Sequence, residues 1–312
     1  MISDDKTRWV YIREIYNLEC SIGPQDFGRG VKLIPLSSDI ADIIDKSTHR
    51  LYGRRPDKQY WVINCEPLSK YDSIDGDPAG GLRILPEVML IVISPLLKFG
   101  PSVFLKIEEG KTELVATVYD QLHNLTPDIH LYDFVALSNE KTGELKEIFE
   151  KLLQNLFPNI LDIPRDRYIR GCLDKKDDDG IIDLAIALES LYGGKNIACR
   201  GASFIGDSHQ EREKIYTDIS ALFWARNKIL HEGIAYPNVT LEDGRALDVQ
   251  EIRNGGFYHC AQALKKMLMD PFWLGKTKGE VLRHYKNLAR PLNSEFDNYR
   301  LKYKSITNQR NT

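Results

Sequence analysis

From Asn139 onward the apolar residues of this chain repeat at the spacing of one helix face, a pattern that packed helices satisfy and strands do not. Leu145, Ile148, Phe149, Leu152, Leu153 and Leu156 begin the series. Arg167 to Leu173 offers another turn or two before the acidic run Asp174 to Asp179. Ile181 to Tyr192 then reads as an amphipathic helix, with acids favoured at its start by the helix dipole and Gly193-Gly194 ending it. A shorter helix over Ala198 to Ile205 stops at Gly206. Ser208-His209-Gln210-Glu211 spells a capping box, in which hydroxyl and carboxylate satisfy each other's backbone N–H groups. It predicts a helix running to about His231, with Gly233 closing it. A further helix spans Leu247 to Met269 and ends at Asp270-Pro271, although Gly255-Gly256 costs its middle about 1 kcal/mol per glycine.

Before residue 139 the periods are mixed. Trp9 to Ile15, Gly30 to Leu36 and Tyr60 to Cys65 are rich in aromatic and β-branched residues, which suit half-buried strands. Ser38 opens a short helix with Ile40, Ile43 and Ile44 on one face. Pro86 is read as the start of a second helix, where a missing N–H is harmless, and Gly100 as its end. Val103 to Ile107 and Glu113 to Tyr119, joined around Gly110, form a hairpin pattern. The expected fold is an α+β amino-terminal domain over residues 1–138, followed by an all-α helical bundle over 139–312 with a basic tail. A length of 312 residues accommodates two ordinary domains.

The formal net charge of −3 provides no bulk attraction for nucleic acid. Charge is unevenly placed, however, because Pro271 to Thr312 carries nine Lys/Arg against three acids, leaving −9 on the rest of the chain. Such a segment either attracts phosphates or is a solvated face. Five widely spaced cysteines without a CxxC pair suggest neither a disulfide framework nor a zinc site. Met1-Ile2-Ser3-Asp4-Asp5 lacks the order of a signal peptide, and the longest apolar stretch, Val88 to Leu97, is too short to span a bilayer. A cytoplasmic protein without membrane contact is expected. No P-loop lysine, GxSxG elbow or HExxH pair occurs, so no cofactor or metal is expected either.

The candidate chemistry lies in Arg226-Asn227-Lys228-Ile229-Leu230-His231, near the end of the capped helix. Arg226 and His231 stand about 7.5 Å apart along the axis and about 140° apart around it, whereas Asn227 and His231 share a face. With Ile215, Ile219, Leu222, Ile229 and Leu230 as the apolar stripe, the polar trio follows its margin. An imidazole titrates near neutrality and can take a proton from a ribose 2′-OH or give one to a departing 5′ oxygen. A guanidinium stays cationic and binds two phosphate oxygens at once, and Asn227 can orient the phosphate or the ring. These groups suffice for transesterification to a 2′,3′-cyclic phosphate. Spacing alone leaves a structural alternative, in which Arg226 pairs with an acid such as Glu189 and His231 caps its helix.

Three blocks, Asp183 to Gly193, Arg200 to Gly206 and Ile219 to Gly233, resemble in order the helical HEPN domain of the Apea-like type. The likeness is close over Arg167 to His231 and looser over Asn139 to Arg290, and the family's Arg-Asn-x-x-x-His signature matches Arg226, Asn227 and His231. It implies a metal-independent endoribonuclease, often a toxin or antiviral effector, whose two protomers join their signatures across a twofold axis. Glu189, inside the first block, is expected to support Arg226 or His231 from the neighbouring helix. RNA is then the substrate, a homodimer the active form, and a regulatory partner or phage trigger the expected control. Sensing or substrate placement falls to the amino-terminal domain only by analogy. A non-catalytic module that binds RNA or nucleotides, or simply dimerises, is the alternative.

Overall fold

The computed structural model describes residues 7–47, 59–65, 81–119, 122–123, 133–154, 156, 158–173, 176–234, 239–240 and 246–308, the side chains of 7, 47, 81, 82 and 301–308 excepted. Met1 to Asp5, Asp174, Arg310 and the side chains of Lys302 and Lys304 lie outside the described residues. The chain forms two compact units, Met1–Asn155 and Leu156–Thr312. One is a mixed α+β unit built on a sheet and the other is helical.

The first unit runs β1 (Thr7–Ile15), β2 (Leu18–Cys20), β3 (Gln25–Asp26), β4 (Val31–Pro35), α1 (Ser38–Ser47), β5 (Trp61–Cys65), α2 (Gly81–Val92), β6 (Phe99–Glu108), β7 (Lys111–Val118), β8 (Val135–Leu137) and α3 (Asn139–Leu153). Six strands pair antiparallel in the order β3-β4-β5-β1-β6-β7, with Ile12 of β1 facing Asn64 on one side and Val103 on the other. Strands β2 and β8, which the sequence reading lacks, form a separate parallel pair. Glu109 and Gly110 both take positive φ, the geometry that lets a two-residue hairpin follow the twist of β6 and β7. Val10, Ile12, Val62, Val103 and Leu105 pack with Ile44 of α1. Because β5 is buried along its whole length, both faces of the sheet are covered there.

Two expectations fail in this unit. Helix α2 begins at Gly81, so Pro86 lies inside it, and Gly100 belongs to β6. An internal proline costs about 3 kcal/mol, yet Leu85, Val88 and Met89 on this helix are fully buried and contribute roughly 1.5–3 kcal/mol each. Burial wins. Helix α3, expected to open the bundle after residue 138, belongs to the first unit instead. Its Phe149 meets Phe27 edge-on at 5.9 Å, Glu150 pairs with Arg29 at 3.4 Å, and Lys141 donates to the carbonyl of Ile93 at 3.1 Å.

The helical unit contains α4 (Asp162–Leu173), α5 (Asp177–Tyr192), α6 (Ile197–Ile205), α7 (His209–Glu232), a small antiparallel pair β9 (Val239–Thr240) and β10 (Ala246–Leu247), then α8 (Val249–Met269), α9 (Lys278–Ala289) and α10 (Asn293–Asn308). What reads as a basic tail is therefore largely two helices. Tyr192, Phe204, Trp273 and Tyr285 form an aromatic core, with edge-on contacts such as Tyr192–Tyr285 at 5.0 Å. Helix α7 packs against α5, α6 and α8. No helix among the described residues is long and apolar enough to cross a membrane.

The Gly255-Gly256 pair has a packing reason. A Cβ on Gly256 would stand 3.0 and 3.2 Å from the methyls of Leu222, and one on Gly255 would stand 3.3 Å from Cβ of Asp218. The two helices approach where α8 has no side chains. Helix propensity alone predicts that replacing Gly256 stabilises the protein, whereas the packing predicts that Gly256→Val destabilises it by about 1–3 kcal/mol. A lower urea midpoint at unchanged slope is the expected result.

Candidate active site

Helix α7 is fixed at both ends by its own sequence. The Ser208 hydroxyl accepts from the Glu211 N–H at 3.2 Å, while the Glu211 carboxylate accepts from the N–H groups of Ser208 and Asp207 at 3.0 Å. Those bonds hold the Glu211 carboxyl below the usual range. At the other end Gly233 adopts a φ of 68°, and its N–H, with that of Ile234, returns to the carbonyl of Lys228.

Two further ties anchor the helix. Arg212 donates twice to Glu295 of α10, at 2.8 and 3.2 Å, and Tyr299 also donates to that carboxylate. These donors, Arg212 foremost, hold the Glu295 carboxyl down at about 2. Six residues after Arg212, Asp218 lies 2.9 Å from Nε2 of the fully buried His259 on α8 and accepts from Lys214 at 2.6 Å. Burial alone would raise the Asp218 carboxyl, but His259 and Lys214 outweigh it and hold it low.

The buried stripe of α7 is Ile215, Tyr216, Ile219, Ala221, Leu222 and Ala225. It corrects the expected stripe at its end, since Ile229 is only half-buried and Leu230 is 48% exposed. At about 100° per residue, Arg226 stands within about 40° of both Ile219 and Leu222. It therefore continues the buried line rather than following its margin. That position explains why Arg226 is half-buried and why its Nε is enclosed without a hydrogen-bond partner. Measured from Arg226, Leu230 follows at about 40°, Asn227 at about 100° and His231 at about 140°.

Within this arc the trio is partly assembled. Nη1 of Arg226 donates to Oδ1 of Asn227 at 3.2 Å. Asn227 and His231 are exposed, one turn apart on one side of the helix. Among the described residues Arg226 has no acidic partner, and His231 has neither a hydrogen bond nor an ion pair. Their neighbours are engaged, because Lys228 pairs with Glu232 at 2.6 Å and lies over the Trp224 ring at 5.4 Å. The guanidinium and the imidazole are thus the polar groups that the end of α7 leaves available. Chemically, one can bind an oxyanion and the other can move a proton.

Glu189 lies half-buried on α5, near the end of that helix, with its Oε1 3.4 Å from where a Cβ on Gly194 would be. It makes no hydrogen bond or ion pair with Arg226 or His231 among the described residues. Both the support expected of it and the Arg226–Glu189 pair of the structural alternative are unformed within one protomer. Leu230, expected in the buried stripe, is an exposed apolar side chain between Arg226 and Asn227. Its place at four residues from Arg226 is legible, but the packing of α5, α6 and α8 decides which side of α7 is covered. Among the described residues no three His, Cys, Asp or Glu side chains converge as a metal site.

If Glu295 clamps α10 to the start of α7, its contribution is fully present above the unfolded carboxyl value, about 4.3, and fades as pH falls toward about 2. Glu295→Gln should unfold at a lower urea concentration than wild type at neutral pH. That gap should shrink as pH falls from about 5 to about 3. A gap that does not change with pH would contradict the clamp.

No protein-family model, curated protein or solved structure matches the chain.

Proposed function

We propose that this protein is a metal-independent endoribonuclease of the HEPN type, acting through Arg226, Asn227 and His231 of two protomers. The observation that carries the reading is the pair of groups at the end of α7 that find no ionic partner among the described residues: Arg226 without a carboxylate, and His231 exposed and without a hydrogen bond. An arginine kept for structure is ordinarily paired where it is buried. Here it is braced by an amide, with no carboxylate beside it among the described residues.

In the proposed reaction the ribose 2′ oxygen attacks the adjacent phosphorus while an imidazole accepts the 2′ proton. The P–O5′ bond breaks, and a second, protonated imidazole gives its proton to the leaving 5′ oxygen. The products are a 2′,3′-cyclic phosphate and a 5′-hydroxyl. Arg226 binds the phosphoryl oxygens as negative charge accumulates, and Asn227 holds the guanidinium in place. One protomer has one such imidazole, so a second copy related by a twofold axis completes the acid–base pair. Leu230, 48% exposed between Arg226 and Asn227, provides apolar area for that contact. Glu189 is proposed to engage Arg226 or His231 only once the dimer has formed. Activity of this kind in a cell calls for control, and a role as a toxin or antiviral effector restrained by a partner or trigger accounts for it.

Total RNA incubated with the protein in EDTA should be cut to fragments ending in cyclic phosphate. His231→Ala and Arg226→Ala should each slow cleavage by about a hundredfold to ten-thousandfold without altering the fold or the dimer. Activity that survives in both variants, or that EDTA removes, would overturn the proposal. No cyclic phosphate from any RNA would favour a module that binds RNA or nucleotides without cutting.

A further inference from the structure

The basic segment after Asp270 forms part of a cleft. After the short turn Pro271–Trp273, the chain enters α9, and Phe272, Trp273, Lys276, Arg283, His284 and Asn287 line a space of about 190 Å³. Sites that enclose a whole drug-sized ligand begin near roughly 300 Å³. One planar ring system fits, with the rest of its molecule outside.

The lining combines exposed π surface with polar groups, of which Arg283 and Lys276 both act on the Glu280 carboxylate. Phe272 is 46% exposed although Trp273 meets it edge-on at 4.9 Å and the His284 ring leans on it at 5.1 Å. Nζ of Lys276 lies 5.0 Å from the Phe272 centroid. Arg283, His284 and Asn287 make no hydrogen bond or ion pair among the described residues. Glu280 is the carboxylate of the lining, and it is engaged: it accepts from the N–H and hydroxyl of Thr277 at 2.8 Å and faces Lys276 at 3.9 Å. With two cations against one carboxylate, the lining is net positive. Lys286 on α9 and Arg290 just past its end, both exposed, carry the charge further.

We propose that this cleft binds a nucleotide, with an unstacked base against Phe272 and His284 and its phosphate between Lys276 and Arg283. Asn287 offers a donor and an acceptor to the polar edge of the base. A purely apolar ligand would leave the two cations unused, and a simple anion would leave the exposed ring unused. A base with its phosphate uses both, and stacking on an aromatic ring is open to every base. The cations that continue along α9 favour a single RNA strand, whose next phosphates they can meet, over a free nucleotide. The assignment does not depend on Arg226 or His231.

The test uses the full chain and a fluorescein-labelled single-stranded oligonucleotide of about twelve nucleotides, methylated at every 2′ oxygen so that no 2′-hydroxyl can attack. Fluorescence anisotropy should show Phe272→Ala binding about tenfold more weakly, with Phe272→Trp near wild type. Arg283→Gln should weaken binding and reduce the slope of log affinity against log salt by about 1, which a merely structural change would not do. Thermal unfolding midpoints equal to wild type exclude misfolding. Adenosine 5′-monophosphate, titrated calorimetrically, should bind far more weakly than the strand. If it binds comparably and the same variants weaken it, the cleft is a nucleotide site whose ligand is free. Binding unchanged in both Phe272→Ala and Arg283→Gln, or no binding of either probe, would overturn the assignment.

Discussion

Close contact between α7 and α8 organises the helical unit. Where Gly255 and Gly256 leave α8 without side chains, Leu222 and Asp218 of α7 occupy the space, and Asp218 reaches the buried His259. This contact fixes the rotation of α7 about its own axis. Once Ile215, Ile219 and Leu222 face inward, the position of every later residue on the helix is set, since about 100° separates each from the next. Arg226 must then continue the buried line, and His231 must point to solvent.

Several polar groups of α7 are compensated within the protomer: Glu211 by backbone donors, Arg212 by Glu295, Asp218 by His259 and Lys214, and Lys228 by Glu232. At its end Arg226 is steadied by Asn227 and His231 by nothing among the described residues. Half-burial makes an uncompensated guanidinium costly, and an anionic ligand would relieve that cost. The two groups stand about 140° apart around the helix. In the proposed dimer a facing copy of the same arc would complete the site, with the exposed Leu230 about 40° from Arg226.

The parts of this arrangement written in local chemistry were legible in the sequence. The capping box at Ser208 and the left-handed Gly233 bound α7 as expected, because both signals act within four residues. Signals that depend on distant packing misled. Pro86 reads as a helix start, yet the burial of Leu85, Val88 and Met89 carries the helix through it. Gly255-Gly256 reads as a weak point and is a close-packing site. The apolar face of α3 announces a helix but not its partner, which is Phe27 of the first unit rather than the helical bundle. The charge of the carboxyl-terminal segment was visible, whereas the ring of Phe272 beside His284 needed the turn at Pro271 to bring them together.

The central claim is that the ends of two α7 helices face one another across a twofold axis. It is tested most directly by placing a cysteine at the exposed position of Asn227, in a Cys20→Ser background because the other four cysteines are buried. A short bis-maleimide should then couple two chains into a covalent dimer. A cysteine at Lys214, about 20 Å back along the same helix, should give none. Efficient coupling through Asn227→Cys and none through Lys214→Cys is the predicted result. Single chains only, at protein concentrations where the native molecule is dimeric, would show that these ends do not meet.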